Sequence, residues 1–338
     1  MSQSQLEQLI ENSRVNEAIS RKLFAIETKI LSCTSSKELL QTLLTLIKDQ
    51  FSLNSIHLLL AHPTPLNYLL SNASQSQWHQ ANTRQVDATL LAQIHPNSKP
   101  LLTDDLCFFD GILPQQLFNG ASSAAFIPLQ LEGKLLGSLL LTDGNVERFS
   151  PQLGTFHLEQ LAVKVSLCLS NVLIREQLEY MANYDRLTGV ANRRLMELTI
   201  AEELSRQKRY GVPFSLLFID CNKFKQVNDT YGHDCGDQVL AYVASQLQEL
   251  IRETDRCFRY AGDEFVVTLA SQTHEDALKA AKRLTNFFIE NPMPFNGRTL
   301  PITISCGVAE SDGKQTMESL LKKADEQLYR HKNLQLSY

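Results

Sequence analysis

The chain has 338 residues, 43% hydrophobic and 20% charged, with 32 basic against 37 acidic side chains and a net charge of −5. At about 150 residues per domain this length predicts two domains, each large enough to bury a core, and the apolar fraction excludes a mostly disordered chain. A mildly acidic balance gives no general footprint for nucleic acid and leaves only local phosphate sites open.

Residues 1–50 hold almost no Gly or Pro and predict helices, with Leu39, Leu40, Leu43, Leu44, Ile47 and Phe51 at helical spacing. SIHLLLA (55–61) predicts a strand. The Pro- and Ser/Asn/Gln-rich stretch after it, to about residue 83, predicts a polar loop that contains Trp78. A short helix near 85–95 and an irregular segment through Gly111 lead to a hairpin: AAFIPLQL, a turn at Glu132-Gly133, then KLLGSLLLT. The densest apolar run, Leu135 to Leu141, is far shorter than the ~18 residues of a membrane helix. The start, MSQSQLEQLIENS, lacks the basic and apolar regions of a signal peptide, so the expectation is a cytoplasmic chain with no membrane span.

From about Ser150 to Tyr184 no Pro follows Pro151 and no Gly follows Gly154. Leu158, Leu161, Val165, Cys168 and Val172 keep 3-4 spacing, and Ile174, Leu178 and Met181 continue it on a shifted face. This predicts a long helix joining two domains, either pairing two copies of the chain as a parallel coiled coil or packing on its own domain. The dimer is the preferred reading, because the final turns stay amphipathic beyond the first domain. The expected divisions are 1–150, a linking helix at 151–184, and 185–338.

Past Tyr184 the pattern alternates: helix 192–209, strand FSLLFID (214–220), and helices across 222–251, the second opening near Gly236-Asp237. A hairpin CFRYAGDEFVVTLA (257–270), helix 274–290, a hairpin at about 299–310 and helix 316–332 complete it. The expected fold class is α+β in both halves, helices over a sheet. Seven cysteines without a CxxC pair and eight scattered histidines predict reduced thiols and no zinc site.

Carboxylates carry the chemistry. Asp220 ends an apolar strand, and Asp263 and Glu264 sit where a second strand pair turns. Brought to one spot, two such charges ~4 Å apart repel by about 4 kcal/mol at an effective dielectric of 20. A divalent cation shared with substrate phosphates turns that repulsion into a binding site. The plainer alternative makes Asp220 a helix cap and AGDE an ordinary turn. Residues 220–237, DCNKFKQVNDTYGHDCGD, add groups able to read a base edge (Asn228, Asp237), a cation for phosphate (Lys225) and two glycines, Gly232 and Gly236. A carboxylate such as Asp237 can accept two N–H bonds from guanine, a pair adenine does not offer. A solvated helix–loop–helix surface is the alternative here.

These residues resemble the GGDEF domains, the diguanylate cyclases. The resemblance runs over about 180–333 through Asp185-x-Leu187-Thr188-Gly189-x-x-Asn192-Arg193-Arg194, then Asp220-x-x-x-Phe224-Lys225-x-x-Asn228-Asp229-x-x-Gly232-His233-x-x-Gly236-Asp237. Arg259-Tyr260-Ala261-Gly262-Asp263-Glu264-Phe265 and Ala324-Asp325-x-x-Leu328-Tyr329-x-x-Lys332 follow. It implies a five-stranded palm-like sheet with flanking helices, and condensation of two GTP into cyclic di-GMP and two pyrophosphates by a homodimer. By that resemblance Asp220, Asp263 and the Cys221 carbonyl would hold Mg²⁺, for which Mn²⁺ can substitute. Asn228 and Asp237 would read guanine, with Phe224 and His233 lining the site. Lys225 and Lys332 would neutralise phosphates, and Asp263 or Glu264 would help deprotonate the attacking 3′-hydroxyl.

Two positions depart from the family pattern. Ala261 stands where the signature has its first glycine, and Lys332-Asn333-Leu334-Gln335-Leu336 lacks an arginine expected on the triphosphate. One lost charge-assisted bond costs ~1.5–3 kcal/mol. A degenerate GTP- or cyclic di-GMP-binding regulatory protein is therefore the alternative to the enzyme. Arg252-x-x-Asp255, five residues before Ala261, matches the spacing of the family's product-inhibition site, which is the preferred reading, and Arg283 falls where a second arginine would come from a partner domain; a surface charge pair at i, i+3 is the alternative. FIPLQLEGKLLGSLLLTD…RFSPQLGTFHLEQLA resembles a GAF-like sensor domain over roughly residues 20–170. It carries no haem, flavin or bilin signature, so its sensory ligand or partner protein is unnamed.

Overall fold

Ser35 caps the second helix, its side chain accepting from Glu38 N–H, and the Glu38 carboxylate accepts from Thr34 N–H at 2.9 Å. This helix, α2 (Ser36–Phe51), follows α1 (Gln3–Ile30) in a computed structural model that describes residues 3–62, 77–131 and 133–335. The chain divides into two units, Met1–Gln177 and Leu178–Tyr338.

The first unit is built on a five-stranded sheet, β2-β1-β5-β4-β3. Its strands are β1 (Ser55–His62), β2 (Thr83–Asp87), β3 (Leu101–Thr103), β4 (Ser123–Leu131) and β5 (Lys134–Asp143). Alternation along β1 and β5 sends Leu58, Leu60, Leu139 and Leu141 into a core shared with α1 and α2. Leu59, Ala61 and Leu140 face the other way, toward the helix Ala88–Ile94 and two 3₁₀ turns at Leu106–Phe109 and Gln115–Phe118. The loop expected up to residue 83 is corrected at its end. Gln77–Asn82 is helix α3, and β2 pairs in parallel with β1, Thr83 opposite Leu58. The polar sequence TRQVD suits a sheet edge, where one side of the strand stays solvated. Trp78, expected in a loop, instead packs against the helix-covered core. Residues 63–76 of that loop and Glu132 of the expected turn lie outside the described residues.

Ala88–Ile94 is α4, and α5 spans Phe156–Asn183. Leu161, Val165, Cys168 and Val172 of α5 are buried in the first unit, which is the own-domain alternative for that row. Val163, Leu167, Ile174, Leu178 and Met181 are exposed.

In the second unit the sheet order is β12-β7-β9-β8-β6. The strands are β6 (Ala191–Asn192), β7 (Phe214–Cys221), β8 (Arg256–Ala261), β9 (Glu264–Ala270) and β12 (Ile304–Glu310). Leu217, Ile219, Phe265 and Val267 face α8 (His233–Leu250) and α9 (His274–Glu290). Leu216, Phe218, Phe258 and Val266 face α6 (Arg193–Tyr210) and α10 (Met317–Gln335). Helix α7 (Phe224–Tyr231) precedes α8, which opens at His233 rather than at Gly236, because Gly232 at φ 86° breaks the chain there. The hairpin expected at 299–310 is also corrected. Met293–Phe295 and Arg298–Leu300 form the hairpin β10–β11 across Asn296-Gly297, both at positive φ, while β12 pairs with β7.

Candidate functional site

Period-two alternation decides where Asp220 points. It shares parity with Leu216 and Phe218, so it emerges at the end of β7 on the face covered by α10. Register then sets Glu264 directly opposite Asp220, with Ile219 opposite Phe265. Gly262 and Asp263 form the two-residue turn between Ala261 and Glu264, Gly262 at φ 48°, and Cys221 N–H donates to the Asp263 carbonyl at 3.2 Å. Ala261 is exposed and outside the positive-φ region, so its methyl group meets no conformational penalty.

Three carboxylates thus gather at one end of the sheet. Burial, then Asp220, pushes the Asp263 carboxyl above its ordinary range. Burial, then Asp220 and Asp263, does the same to Glu264. Lys332 of α10 pairs with Asp220. It arrives there because Gly307 on β12 lets α10 approach closely: a Cβ at Gly307 would lie 2.0 Å from the Ala324 carbonyl. Asp220 caps no helix; the N-cap of α7 is Lys223, at φ 57°, without a side-chain cap bond.

This donor set fits a hard divalent cation. Like charges held together by the fold, with Asp263 and Glu264 raised, lack a full counter-charge. Two carboxylates and a backbone carbonyl suit Mg²⁺, which keeps places for water and phosphate. The Cys221 thiol is pushed up by burial and is no thiolate donor, so its carbonyl is the group available. Among the described residues no cluster of three or more His, Cys, Asp or Glu side chains is arranged as a metal-binding group.

A second cluster stands on α7 and α8. Asn228 presents a buried amide atom with no hydrogen-bond partner. A Cβ at Gly236 would lie 1.9 Å from Oδ1 of Asn228 and 3.2 Å from the Phe224 ring, so only glycine leaves that amide in place. Phe224 is half-buried, and Lys225, His233 and Asp237 are exposed.

Arg252 and Asp255 line a cavity of about 410 Å³ together with Tyr184, Gln248, Arg256 and Cys257. They form no side-chain ion pair. Asp255 is buried, and its carboxylate accepts from Gln272 Nε2 at 3.0 and 3.1 Å and from Arg252 N–H at 3.2 Å. Arg283 is not brought into this cavity; its guanidinium donates to the Leu250 carbonyl at 3.1 Å. Leu336 lies outside the described residues.

Residue identity alone assigned no role to Arg259 or Asn222. Arg259 donates through Nε to the Gly262 carbonyl and through Nη1 to Asp185, both at 2.9 Å, tying the Gly-Asp turn to the start of the unit. Burial raises the Asp185 carboxyl, but bonds from Thr188 N–H and Oγ1 and the Arg259 charge outweigh it and hold it below the usual range. Asn222 bonds Thr303 and Ser305 and fixes the chain leaving β7. Asp185 and Arg259 both stand in the motifs, but their partnership needs the fold, across 74 residues.

Residues 182–336 match the family model described as diguanylate cyclase, GGDEF domain, and residues 1–172 match DUF484, a family of unknown function. Diguanylate cyclase DosC of Escherichia coli K12 is 35% identical over 162 residues, 46% of this chain and 35% of that protein. Response regulator PleD of Caulobacter vibrioides is 41% identical over 155 residues, 45% of this chain and 34% of that protein. The chain thus spans about a third of the length of these curated relatives. A crystal structure of the coiled coil and GGDEF domain of DgcB from Caulobacter crescentus, in complex with c-di-GMP, aligns over 53% of this chain and 95% of that one, at 24% identity and TM-score 0.49. Among the described residues no helix is long and apolar enough to cross a membrane. With residues 1–172 and 182–336 matched in this way, the chain belongs to the DUF484 family and carries a C-terminal GGDEF domain of the diguanylate cyclase class.

Proposed function

We propose that residues 185–338 form a working diguanylate cyclase that joins two GTP into cyclic di-GMP and releases two pyrophosphates. The chain acts in this reading as a cytoplasmic homodimer, with residues 1–150 regulating it and 151–184 as the link. The observation that carries the reading is the convergence of Asp220, Asp263 and Glu264, with raised carboxyls at two of them.

Asp220, Asp263 and the Cys221 carbonyl would hold Mg²⁺, or Mn²⁺ in its place. Bound there, the cation neutralises phosphate charge and lowers the pKa of the attacking hydroxyl. Asn228 and Asp237 read guanine, His233 and Phe224 line the base, and Lys225 and Lys332 offset the triphosphate. The 3′-oxygen forms a bond to the α-phosphorus of the other GTP, the bond to the β-phosphate oxygen breaks, and pyrophosphate leaves. The hydroxyl proton goes to Asp263 or Glu264, which stand in the same carboxylate cluster. The step occurs twice in opposite directions, so two half-sites must face each other, and positioning supplies much of the rate. Arg252 and Asp255 bind product as a brake, while Arg283 serves a partner domain.

Incubation of the full chain with GTP and Mg²⁺, followed by chromatography, tests this. The expected result is cyclic di-GMP with two pyrophosphates per product. GTP bound but never converted would replace the enzyme with the degenerate regulatory reading.

A further inference from the structure

Helices α1 and α2 and the first turns of α5 do not close completely over their face of the first sheet. They leave a cavity of about 510 Å³, inside the range that takes a small molecule. Its inner wall is apolar: Leu23, Ile47, Leu141, Phe149 and Leu161 all line it and are all buried. Side chains facing such a hollow lose packing contacts that an apolar guest restores.

The ionisable side chains lining this cavity are basic residues. Lys22, Arg148 and His157 line it, and among the described residues lining it none is acidic. Both strong cations gather at the end of α2. Lys22 Nζ donates to the Gln50 carbonyl at 2.6 Å, and Arg148 Nη2 donates to the Phe51 carbonyl at 2.8 Å. Each bond uses one donor of a group that has three (Lys) or five (Arg). Arg148 also lies 3.9 Å from Asp143, too far for a tight pair, and His157 Nε2 stands 3.3 Å from Asn16 Oδ1.

We propose that this cavity binds a small amphipathic anion, an apolar chain or ring seated over Leu23, Ile47 and Leu161 that ends in a carboxylate between Lys22 and Arg148. Complementarity of both kinds carries the assignment. An uncharged hydrocarbon leaves the cations unused, and a small polar anion leaves the apolar wall exposed to water. The site lies wholly within residues 1–177, and binding is read without turnover, so the result stands whether or not the C-terminal domain makes cyclic di-GMP.

Decanoate is the probe, measured on the full chain by displacement of anilinonaphthalene sulfonate fluorescence and by calorimetry. One saturable site is expected, with decanol at least about tenfold weaker, the ratio that loss of a charge-assisted bond produces. Lys22→Gln with Arg148→Gln should weaken decanoate about tenfold or more and leave decanol unchanged. Ala18→Trp, which fills the cavity, should remove both ligands. If that variant misfolds, the exposed-charge variant still decides. No saturable decanoate binding, equal binding of decanol, or a double variant that binds decanoate as well as the natural chain would each overturn the assignment.

Discussion

The two units each rest on a five-stranded sheet with apolar side chains on both faces, and they treat polar groups in opposite ways. In the first, neutral polar side chains on the sheet are paired: Ser55 meets Thr142 at 2.7 Å, Ser123 donates to the Asn145 carbonyl at 2.7 Å, and His95 meets Ser138 at 3.0 Å, although His57 Nδ1 has no partner. Burial lowers the pKa of His95, which keeps it neutral. In the second unit, Asp220, Asp263 and Glu264 collect at the ends of neighbouring strands, and burial with the neighbouring carboxylates raises Asp263 and Glu264. Neutral, paired groups cost a fold little, whereas clustered like charges destabilise it and persist where something else must bind. The contrast separates a sheet whose polar groups are mostly neutral and paired from one that gathers carboxylates at one end.

Asp263→Asn breaks this contrast most severely. Synthesis of cyclic di-GMP should fall by about 10²–10³-fold or more. Stability should move the other way. The folded-state pKa of Asp263 lies above its unfolded value, so the native state binds the proton more readily. Its contribution to stability therefore falls as pH rises through that interval, and the deficit persists at neutral pH. The permanently neutral variant should melt about 2–4 °C higher at pH 7 without divalent cation. That gap should close as pH drops below the ordinary aspartate value of about 3.9. Mg²⁺ should raise the melting temperature of the natural chain and not of the variant. Scanning calorimetry across pH, with and without Mg²⁺, reads all of this.

Gly236→Ala tests the base-reading side of the same unit. The new methyl group cannot coexist with the present Asn228 amide, 1.9 Å away. Loss of one well-placed bond predicts a rise in KM for GTP of about 10–100-fold. Alanine is a better helix former than glycine, so the first turn of α8 should not lose stability. Steady-state kinetics beside a melting curve distinguishes the two effects. A KM unchanged within twofold would remove Asn228 from the substrate site.

The second unit was also the more legible from sequence, for a physical reason. Charges such as Asp220 and Asp263 stand at the ends of otherwise apolar strands, so they stand out in the sequence. Strands β1 and β5 require only apolar character and period, which suggests a sheet and little else. The misread segments follow the same logic. TRQVD is too polar to announce a strand, and only pairing with Leu58 to His62 makes it one. The hairpin at 293–300 was signalled by Asn296-Gly297, a turn pair that takes positive φ readily, but the apolar run of β12 drew the hairpin toward it. The Arg259–Asp185 tie and the approach of α10 over Gly307 depend on contacts between distant segments, which no local pattern encodes.

Gly137→Ala is the counterpart change in the first unit. Its Cβ would lie 2.3 Å from the Leu59 carbonyl of the paired strand β1, and a backbone atom has little room to yield. Strain of about 1–3 kcal/mol is expected, confined to the first sheet. Hydrogen exchange should quicken in β1 and β5 and stay unchanged in β7 and β9. Equal quickening in both sheets would mean that the units do not unfold separately.

The smallest effect is expected at Ala261→Gly, which restores the usual signature glycine. Ala261 is exposed, its φ is not positive, and the residue that needs left-handed freedom is Gly262, at 48°. A surface change of this kind stays within about 0.5 kcal/mol, which is roughly twofold in rate. Glycine also adds freedom to the unfolded chain, so a slight loss of stability is the expected sign. A gain in turnover of tenfold or more would mean that the methyl group obstructs the substrate, and that departure from the signature glycine carries a functional cost. Turnover within twofold would place the only sequence-visible irregularity of the turn outside the chemistry, leaving Gly262 for the backbone and Asp263 for the charge.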